Sequence, residues 1–599
     1  MIKLIPCIRS YGMTKIKSLL NNSRTQNTIY YILSAVMSYF ISRAFMVHLV
    51  VSSTSIVNYI VFAVSMFLLI RTKNEESRRN KIISALFAVP FALFLTFGNY
   101  AVDCSTLTTF FVTSIGFFVL FYVLFLFLFK LTDCRDAVID SKKERTKSKK
   151  VFWLSFVFLL AAWLIYFLAY FPGYTTQDSI EQIKQATGLA PWCNWHPVMH
   201  TLIVKLTYHA GVSIFKSPMG GIAVYSVVQS VLMGLTVSYF LVTLYKFRIN
   251  KTAIILAFLF FAFFPIIPIY NITMWKDIYF AIVVLAFSTA LWRLTKYFES
   301  NNTKKLPAFE GTLIFFSAIG VCLFRSNGYY AFLISLPFLF FAFFKRSKKL
   351  SVLMLASFIV ATIIKVPVYT LLNIENADIL ETVGVPLQHI CSAAAGSYSF
   401  TDEQYVYITQ LLPIETIRET YDPYIVDPIK NAIRSYNTAF IIEDNKLLFL
   451  KMWLSIGLKH PLLYLKGQVL QTFGYWYPDT RYWVYPWIAD NEIGITKQET
   501  VFSFLSTITN KIQYAYQNIP IISILWCIGA YSWVMILSFM MSIQRRMKNR
   551  LVVYAVPLAV LASLMLATPV FAEFRYAYSL VLCAPLFCIL PFSEKQKTK

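Results

Sequence analysis

The stretch FPGYTTQDSIEQIKQATGLAPWCNWHPVMHTL, residues 171–202, decides how the rest of the chain is arranged. It follows directly on an unbroken apolar run at 152–172 and carries two acidic residues, one lysine and two histidines. An apolar run of about 20 residues can cross a bilayer, so a polar stretch at its end lies at a membrane face. Which face it occupies depends on the runs that precede and follow it.

The composition indicates a membrane protein rather than a set of soluble domains. Of the 599 residues, 58% are hydrophobic and 14% are charged, whereas soluble domains carry about 25% charged residues. Apolar runs recur along the chain, and each is long enough for the ~30 Å of bilayer hydrocarbon. The sequence therefore predicts an all-α polytopic membrane protein in contact with membrane lipids.

The net charge of +25 does not indicate a nucleic-acid partner. Its basic residues cluster in short loops between apolar runs, which is the pattern that orients a protein in the membrane. The nine cysteines include no CxxC pair and no His/Cys spacing typical of a metal site. We therefore expect no nucleic acid and no cofactor, and nothing in the sequence supports a divalent metal.

About 14 apolar runs predict transmembrane helices. Their approximate bounds are 28–50, 54–71, 82–101, 107–130, 152–172, 220–246, 252–271, 276–297, 310–324, 329–345, 350–371, 520–543, 551–570 and 575–592. If the N-terminus is inside the cell, alternation places every basic loop and the terminal KQKTK on the cytoplasmic side. Those loops are 71–81, 140–150, 246–251, 344–349 and 544–550. The N-terminal segment lacks a signal-peptide core, so we expect a multi-pass protein of the cell membrane with both termini cytoplasmic.

This orientation divides the chain into four parts. They are an N-terminal block of four helices with a basic linker (1–150), a membrane core (151–371) whose first external loop is 173–216, an extracytoplasmic loop domain of mixed structure (372–519) and C-terminal helices with a cytoplasmic tail (520–599). A loop as long as 372–519 is expected to fold as a small external domain.

The first external loop has helical spacing from Asp178 onward, with Asp178 or Ser179 available as a cap. The segment 196–216 resembles another crossing, but a crossing there would put every later basic loop outside. We therefore interpret it as an amphipathic helix on the outer surface. Asp178 as a helix cap and His196 as a turn residue before proline are the structural alternatives.

Together with the later polar turns, this loop resembles the GT-C superfamily of polytopic glycosyltransferases, which includes protein O-mannosyltransferases and aminoarabinose transferases. It is most similar to an uncharacterised bacterial GT-C-like family with an FPG…DS…Q…HP…HTL pattern, a KD turn, an R-x-NG turn and a final RY. The matching positions are Asp178, Ser179, Gln182, His196, Pro197, His200, Lys276, Asp277, Arg325, Asn327, Gly328, Arg575 and Tyr576. The resemblance covers about residues 150–592 and leaves the first four helices unexplained.

The resemblance implies a GT-C-like fold and a glycosyltransferase. Such an enzyme transfers a hexosyl or pentosyl group, with inversion, from a polyprenyl-phosphate donor to an extracytoplasmic glycan, polymer or lipid. Asp178 is the expected base, and Asp277 and Glu573 are second choices. His196 is the remaining catalytic candidate, as a residue that orients a carboxylate or hydroxyl. The residues expected to bind substrate are Gln182, His200, Lys276, Arg325, Asn327, Arg575 and Tyr576.

Elementary chemistry leads to similar roles. A lipid-phosphate donor needs cations at the membrane surface to bind its phosphate, and Lys276, Arg325 and Arg575 all fall at predicted external helix ends. Cations there can also be snorkelling anchors. An acceptor hydroxyl needs a base, which in inverting transfer is a carboxylate.

Two other functional classes compete with this interpretation. A transporter or flippase for a lipid-linked saccharide would carry charged or broken helices near the bilayer midplane. A membrane acyltransferase would use His196 or His200 as a base within a crossing helix. The polar groups of this chain gather at one predicted face, which favours the enzyme.

Overall fold

The computed structural model describes most of the chain. The described residues are 23–50, 52, 54–73, 77–102, 106–133, 147–301, 303–396, 398–482, 484–489, 491, 493–495 and 502–593. The predictions for both termini and for most of the basic loop 140–150 lie outside these residues.

The chain forms two compact units, residues 1–135 and 136–599. The described part of the first unit consists of α1 (Ser23–Leu49), α2 (Ile56–Thr72), α3 (Arg78–Val102) and α4 (Leu107–Asp133). Aromatic rings join α3 to α4, since the ring of Phe91 lies 5.4 Å from that of Phe121 and 5.3 Å from that of Phe125. Such pairs stabilise a helix interface beyond the area that they bury.

The second unit contains the remaining helices and all of the predicted site residues. Its first part runs through α5 (Ser148–Ala169), α6 (Gln177–Thr187), α7 (Val198–Phe215), α8 (Pro218–Lys246), α9 (Lys251–Phe263), α10 (Ile266–Asn271), α11 (Lys276–Asn301), α12 (Ala308–Phe324), α13 (Ser326–Phe344), α14 (Lys348–Ile363) and α15 (Tyr369–Leu371). A π-helical turn, Ile364–Val368, joins the last two.

The helices that follow are shorter until the chain returns to apolar segments. They are α16 (Ile379–Thr382), α17 (Gly384–Ala395), α18 (Asp402–Leu411), α19 (Ile414–Thr420), α20 (Asp427–Ser435), α21 (Phe440–Asp444), α22 (Lys446–Lys459), α23 (Pro461–Thr472), α24 (Ser503–Asn518), α25 (Ile528–Gln544), α26 (Ala555–Leu566) and α27 (Tyr578–Ile589). Single 3-10 segments lie at Phe473–Tyr475, Ile522–Trp526, Lys548–Tyr554, Phe574–Ala577 and Leu590–Phe592.

The all-α membrane protein predicted from the sequence is confirmed. Among the described residues, ten helical segments are long and apolar enough to cross a membrane, and four shorter apolar helices accompany them. The ten are Gln26–Leu49, Arg78–Gly98, Leu107–Thr132, Ser148–Ala169, Pro218–Lys246, Lys276–Asn301, Ser326–Phe344, Lys348–Leu371, Lys548–Leu566 and Phe574–Phe592. The number of crossings and their orientation stay predictions.

Two apolar runs differ from the helices that they predicted. The run 252–271 is divided into α9 and α10, because Phe264 is extended and Pro265 follows it. The run 520–543 becomes a continuous α-helix only at Ile528, after a 3-10 segment that ends at Trp526.

The segment 372–519 is helical where mixed structure was predicted. Helices α16 to α22 enclose a hydrophobic core of their own, with Leu387, Ile417, Ile429 and Ile456 almost completely buried. No strand occurs in the described part of this segment, and the described residues between 476 and 495 form neither helix nor strand. Short helices that bury one apolar face against each other therefore form this core.

The predicted surface helix 196–216 is α7, and it forms an antiparallel hairpin with α8. A tight turn at Lys216 and Ser217 joins the two helices. Gly211 allows the close approach, since a Cβ atom there would lie 2.2 Å from the carbonyl oxygen of Gly220. The helix itself is thus as predicted, but one face is held by α8 along its length, and its location at the membrane surface stays a prediction.

The orientation can be tested by cysteine labelling in intact cells. Gln177 and Lys149 are both exposed, near opposite ends of α5. We expect an impermeant thiol reagent to label Gln177→Cys in intact cells and Lys149→Cys only after permeabilisation, because the positive-inside rule predicts that the basic side of the chain is cytoplasmic. The unsubstituted chain gives the background from its own cysteines, and the reverse labelling pattern would overturn the orientation.

Candidate functional site

Backbone hydrogen bonds hold the turn after α5 against the turn before α11. The N–H of Tyr174 donates to the carbonyl oxygen of Ile272 at 2.9 Å, and the N–H of Met274 donates to the carbonyl oxygen of Tyr174 at 3.0 Å. This bridge brings the first residues of α6 beside those of α11, although about 100 residues separate them in the sequence.

Gly173 makes this close approach possible. Its φ of +129° lies in a region that residues with a Cβ atom rarely adopt. A Cβ atom there would also lie 2.4 Å from the hydroxyl oxygen of Ser226 and 2.6 Å from the carbonyl oxygen of Ile272. The FPG motif therefore requires glycine at position 173, because of both its backbone conformation and the lack of space for a Cβ atom.

Side chains at the start of α6 strengthen the contact with α11. The Ser179 hydroxyl donates to the carbonyl oxygen of Met274 at 2.7 Å, and the indole N–H of Trp275 donates to the Thr176 hydroxyl at 2.8 Å. The helix is capped by Thr176, whose N–H donates to Ser179. The prediction that Asp178 or Ser179 is the N-cap is wrong, and the Asp178 side chain is available for other contacts.

Asp178 binds two cations from distant parts of the chain. Its Oδ2 accepts a hydrogen bond from Nη1 of Arg575 at 2.7 Å and lies 3.8 Å from Nζ of Lys276. Arg575 also places its Nε 3.0 Å from Oε1 of Glu573, and its guanidinium lies over the Trp275 ring at 5.0 Å. Arg575 therefore bridges two carboxylates, of which Glu573 is almost completely buried.

A second ion pair lies beside the first. Nη1 of Arg325 is 2.5 Å from Oδ1 of the buried Asp277, although neither oxygen of Asp277 has a well-aligned hydrogen bond to a described residue. The same guanidinium nitrogen donates to the carbonyl oxygen of Tyr576 at 3.1 Å. Both arginines lie over the Tyr576 ring, with guanidinium carbons 4.5 Å (Arg325) and 5.4 Å (Arg575) from its centroid.

His196 joins the cluster through Lys276. Its Nδ1 lies 3.1 Å from Nζ of Lys276 and accepts a hydrogen bond from the ammonium, so the neutral ring carries its own proton on Nε2. The ring stacks on Trp195 and is 1% exposed, and Nε2 has no hydrogen-bond partner among the described residues. A buried donor without a protein partner is suited to bind a ligand oxygen.

Gln182 and His200 lie in a separate buried hydrogen-bond chain. Nδ1 of His200 is 2.9 Å from Oε1 of Gln182, and its Nε2 is 2.7 Å from the Tyr225 hydroxyl. The amide nitrogen of Gln182 is 3.0 Å from the Thr201 hydroxyl. Both side chains are at most 1% exposed. This arrangement gives them a positioning role between α6, α7 and α8.

The hydrogen-bond chain continues from His200 to the turn before α11. The Tyr225 hydroxyl donates to Oε1 of Gln229 at 2.8 Å, and the Gln229 amide donates to the carbonyl oxygens of Asn271 and Thr273 at 2.9 and 2.8 Å. Sequence reasoning missed Tyr225 and Gln229. Two polar residues one helical turn apart within an apolar run were the available signal.

The structure thus brings together most of the predicted residues. Asp178, His196, Lys276, Asp277, Arg325, Glu573, Arg575 and Tyr576 form one cluster, which we call the ion cluster. Asn327 is half-buried in the first turn of α13, two residues from Arg325. In the described parts of the chain, no group of three His, Cys, Asp or Glu side chains is placed to hold a metal ion.

Burial and neighbouring charges shift the acid–base properties of this cluster. Burial favours the neutral form of Asp178, but Arg575 and Lys276 outweigh it and hold the pKa of Asp178 well below its usual range. Burial raises the pKa of Glu573 to about 7, despite the adjacent Arg575. Burial and the Lys276 charge lower the pKa of His196 to about 3. At neutral pH, Asp178 is therefore ionised, His196 is neutral and Glu573 is partly protonated.

One comparison with known proteins gave a match. A family model described as a family of unknown function (DUF6020) matches residues 189–599. The chain belongs to this family. The match includes every member of the ion cluster except Asp178, which lies just before it. Neither the comparison with curated proteins nor that with solved structures gave a match.

Replacing Gly173 should disrupt the cluster more than replacing a control glycine. Gly188 also has a positive φ, but a Cβ atom there would meet nothing within 4 Å. Gly188→Ala should therefore cost only backbone strain, about 1–2 kcal/mol, whereas the overlap at Gly173→Ala adds roughly 1–3 kcal/mol. Thermal unfolding of the purified protein measures both, and equal destabilisation would contradict the role assigned to Gly173.

Protonation of Glu573 should strengthen the binding of a phosphodiester anion. With Glu573 ionised, its carboxylate and those of Asp178 and Asp277 balance the three cations of the cluster. Below pH 7 Glu573 gains a proton, so the cluster becomes positive and affinity for a lipid phosphodiester should rise. The effect is at most about tenfold per pH unit for one coupled proton.

Glu573→Gln should bind the phosphodiester with the same affinity at pH 6 and pH 8, because its side chain is neutral throughout. Equilibrium binding of the wild-type chain and this variant provides the measurement. A wild-type affinity that does not change between these pH values would contradict the prediction.

Proposed function

We propose that this protein is an integral membrane glycosyltransferase that moves a sugar from a polyprenyl-phosphate donor to an extracytoplasmic glycan, polymer or lipid. The observation that carries the proposal is the ion cluster, in which Arg575 bridges Asp178 and Glu573 at the end of a segment of membrane-spanning length. A base, phosphate-binding cations and a nearby apolar cavity are the three components that this reaction needs.

The cations of the cluster suit the phosphate of the donor. Arg575 and Lys276 share the carboxylate of Asp178, and Arg325 lies over the same Tyr576 ring as Arg575. A single phosphate can therefore replace carboxylate partners without exposing a cation. Each charge-assisted hydrogen bond to the phosphate is worth roughly 1.5–3 kcal/mol. The same contacts strengthen as the phosphate leaves with increased negative charge, which lowers the barrier to transfer.

Donor binding would also activate the base. While Asp178 is bound to Arg575 and Lys276, its low pKa makes it a weak base. A donor phosphate that takes over these cations removes the cause of the low pKa, so Asp178 becomes more basic when the donor is present. The acceptor hydroxyl then loses its proton to Asp178 as its oxygen attacks the anomeric carbon, and the lipid phosphate departs from the opposite side.

An apolar cavity, linked to the cluster through the contact of Tyr531 with Phe574, suits the hydrocarbon chain of the donor. It has a volume of about 690 Å³, lies between α9, α25 and α27, and has no charged residue among its lining. Tyr531 lines it and packs edge-on against Phe574 at 6.3 Å, directly before Arg575 in the chain. A lipid chain in this cavity would keep the phosphate within reach of the cations.

Asp178→Asn should separate catalysis from donor binding. Loss of a general base lowers turnover by about 10²–10⁴-fold, whereas removing the carboxylate from Arg575 should leave the KM for the donor unchanged or lower. The assay measures sugar transfer in membranes supplied with a panel of polyprenyl-phosphate sugars. Glu181→Gln is the matched control, because Glu181 is a carboxylate on the same helix whose partners, Lys184 and Gln177, lie outside the ion cluster.

The turnover of Asp178→Asn also distinguishes Asp178 from the other candidate bases, and the proposed enzyme from a transporter. Near-native turnover of a folded Asp178→Asn variant would move the base to Asp277 or Glu573. If the single amide variants of all three carboxylates remained active, the proposal would fail, and movement of a lipid-linked saccharide across the membrane would replace it.

A further inference from the structure

A short strap, residues 192–196, lies between α6 and α7 and ends at the ion cluster. Its last residue is His196, a member of the cluster, and Trp195 directly before it is 47% exposed. The two rings stack with centroids 4.9 Å apart and an interplanar angle of 22°, which is an offset arrangement. An exposed indole therefore lies beside a buried member of the cluster.

Backbone hydrogen bonds hold the strap against the segment that follows α15. The N–H of Asn194 donates to the carbonyl oxygen of Glu375 at 2.9 Å, and the N–H of Glu375 donates to the carbonyl oxygen of Trp192 at 2.8 Å. The side-chain oxygen of Asn194 accepts from the N–H of Ala377 at 2.7 Å. Trp195 is thus held in place although it is exposed, because the residues on both sides of it are bonded to other parts of the chain.

His196 offers a hydrogen-bond donor that no described residue accepts. Lys276 occupies Nδ1, so the proton lies on Nε2, and the ring is 1% exposed. A buried donor that the protein leaves unpaired is unusual and indicates that a ligand supplies the acceptor. A hydroxyl oxygen suits this neutral donor, whereas the cations of the cluster suit a phosphate.

Trp195 and His196 together present the two kinds of surface that a sugar ring needs. A sugar has apolar C–H faces and a rim of hydroxyls, so it binds where an aromatic ring lies beside a few directed polar groups. Trp195 supplies the ring and an indole N–H, and His196 supplies a fixed donor. A membrane-interface anchor would require only the exposed indole, and would need neither a fixed strap nor a buried donor beside it.

Lys276 connects this surface to the phosphate-binding cations. Its Nζ lies 3.1 Å from Nδ1 of His196 and 3.8 Å from Oδ2 of Asp178. In a glycosyl phosphate, a single oxygen atom joins the sugar to the phosphorus. A donor phosphate bound by Lys276 would therefore carry its sugar beside the strap.

We propose that Trp195 and His196 form the subsite for the sugar of the polyprenyl-phosphate donor. The sugar packs against the exposed indole, and Nε2–H of His196 donates to one of its hydroxyls. This inference rests on the proposed function for the identity of the donor, but it concerns binding and requires no transfer of the sugar.

The test compares phosphodiesters of one polyprenol that differ only in the sugar. The glucosyl, mannosyl, galactosyl and arabinosyl phosphates are compared with the methyl phosphate, which keeps the single negative charge and lacks the sugar. Equilibrium binding to the full chain in detergent gives the ratio of the Kd for the methyl ester to the Kd for each glycosyl ester. We expect a ratio of about ten or more for at least one sugar, which corresponds to about 1.4 kcal/mol. Equal Kd values for all five compounds would overturn the proposal.

Variants assign the effect of the sugar to the two side chains. Trp195→Ala and His196→Asn should each lower the ratio, the latter by about two- to twelvefold, the range for one neutral hydrogen bond. The Kd for the methyl ester should stay within about twofold of the wild type, because the phosphate-binding cations remain. Trp195→Phe keeps an aromatic ring and should retain most of the ratio, which excludes misfolding as the cause of the loss in Trp195→Ala.

Trp153→Ala is the matched control. Trp153 is 57% exposed in the second turn of α5, where its ring packs against those of Phe152 and Phe156. An unchanged ratio in Trp195→Ala or in His196→Asn, or an equal loss in Trp153→Ala, would overturn the subsite even if the chain transfers sugar. A ratio lost only in the two strap variants would support the subsite even if no transfer is detected, so the subsite and the proposed function can fail separately.

Discussion

The arrangement of the second unit depends on the hydrogen bond between Arg575 and Asp178, which are 397 residues apart in the sequence. Neither charge could be buried alone, because an ion removed from water without a partner costs several kcal/mol. Arg575 lies at the start of the last membrane-length segment, Phe574–Phe592. Its bond to Asp178 therefore holds this segment against the start of α6. Glu573, Lys276, Asp277 and Arg325 complete the balance of charge.

A layer of neutral hydrogen bonds supports this ionic contact. Gln229 in α8 binds the turn before α11, while Gln182 and His200 connect the same layer to α6 and α7. Because burial lowers the pKa of His200 to about 3, the layer stays uncharged at neutral pH and does not compete with the ion cluster. Neutral hydrogen-bonding side chains thus hold the turns that carry the charged residues.

Charge balance also limits what the Lys276 end of α11 can bind. Three cations meet three carboxylates there, so an anion binds only when a carboxylate yields its partner or Glu573 is protonated. This arrangement suits a ligand whose binding is coupled to proton transfer.

The sequence by itself determined the helical membrane architecture, because apolar length and loop charge are local properties of the chain. It also indicated which polar residues would meet, since Asp178, Lys276, Arg325 and Arg575 all fall at helix ends predicted to share one face. Only the tertiary structure decided their partners. Distances of a few ångströms between turns hundreds of residues apart made Asp178 an ion-paired carboxylate rather than a cap and raised the pKa of Glu573. The same packing, which no local pattern encodes, placed His200 in a buried support layer.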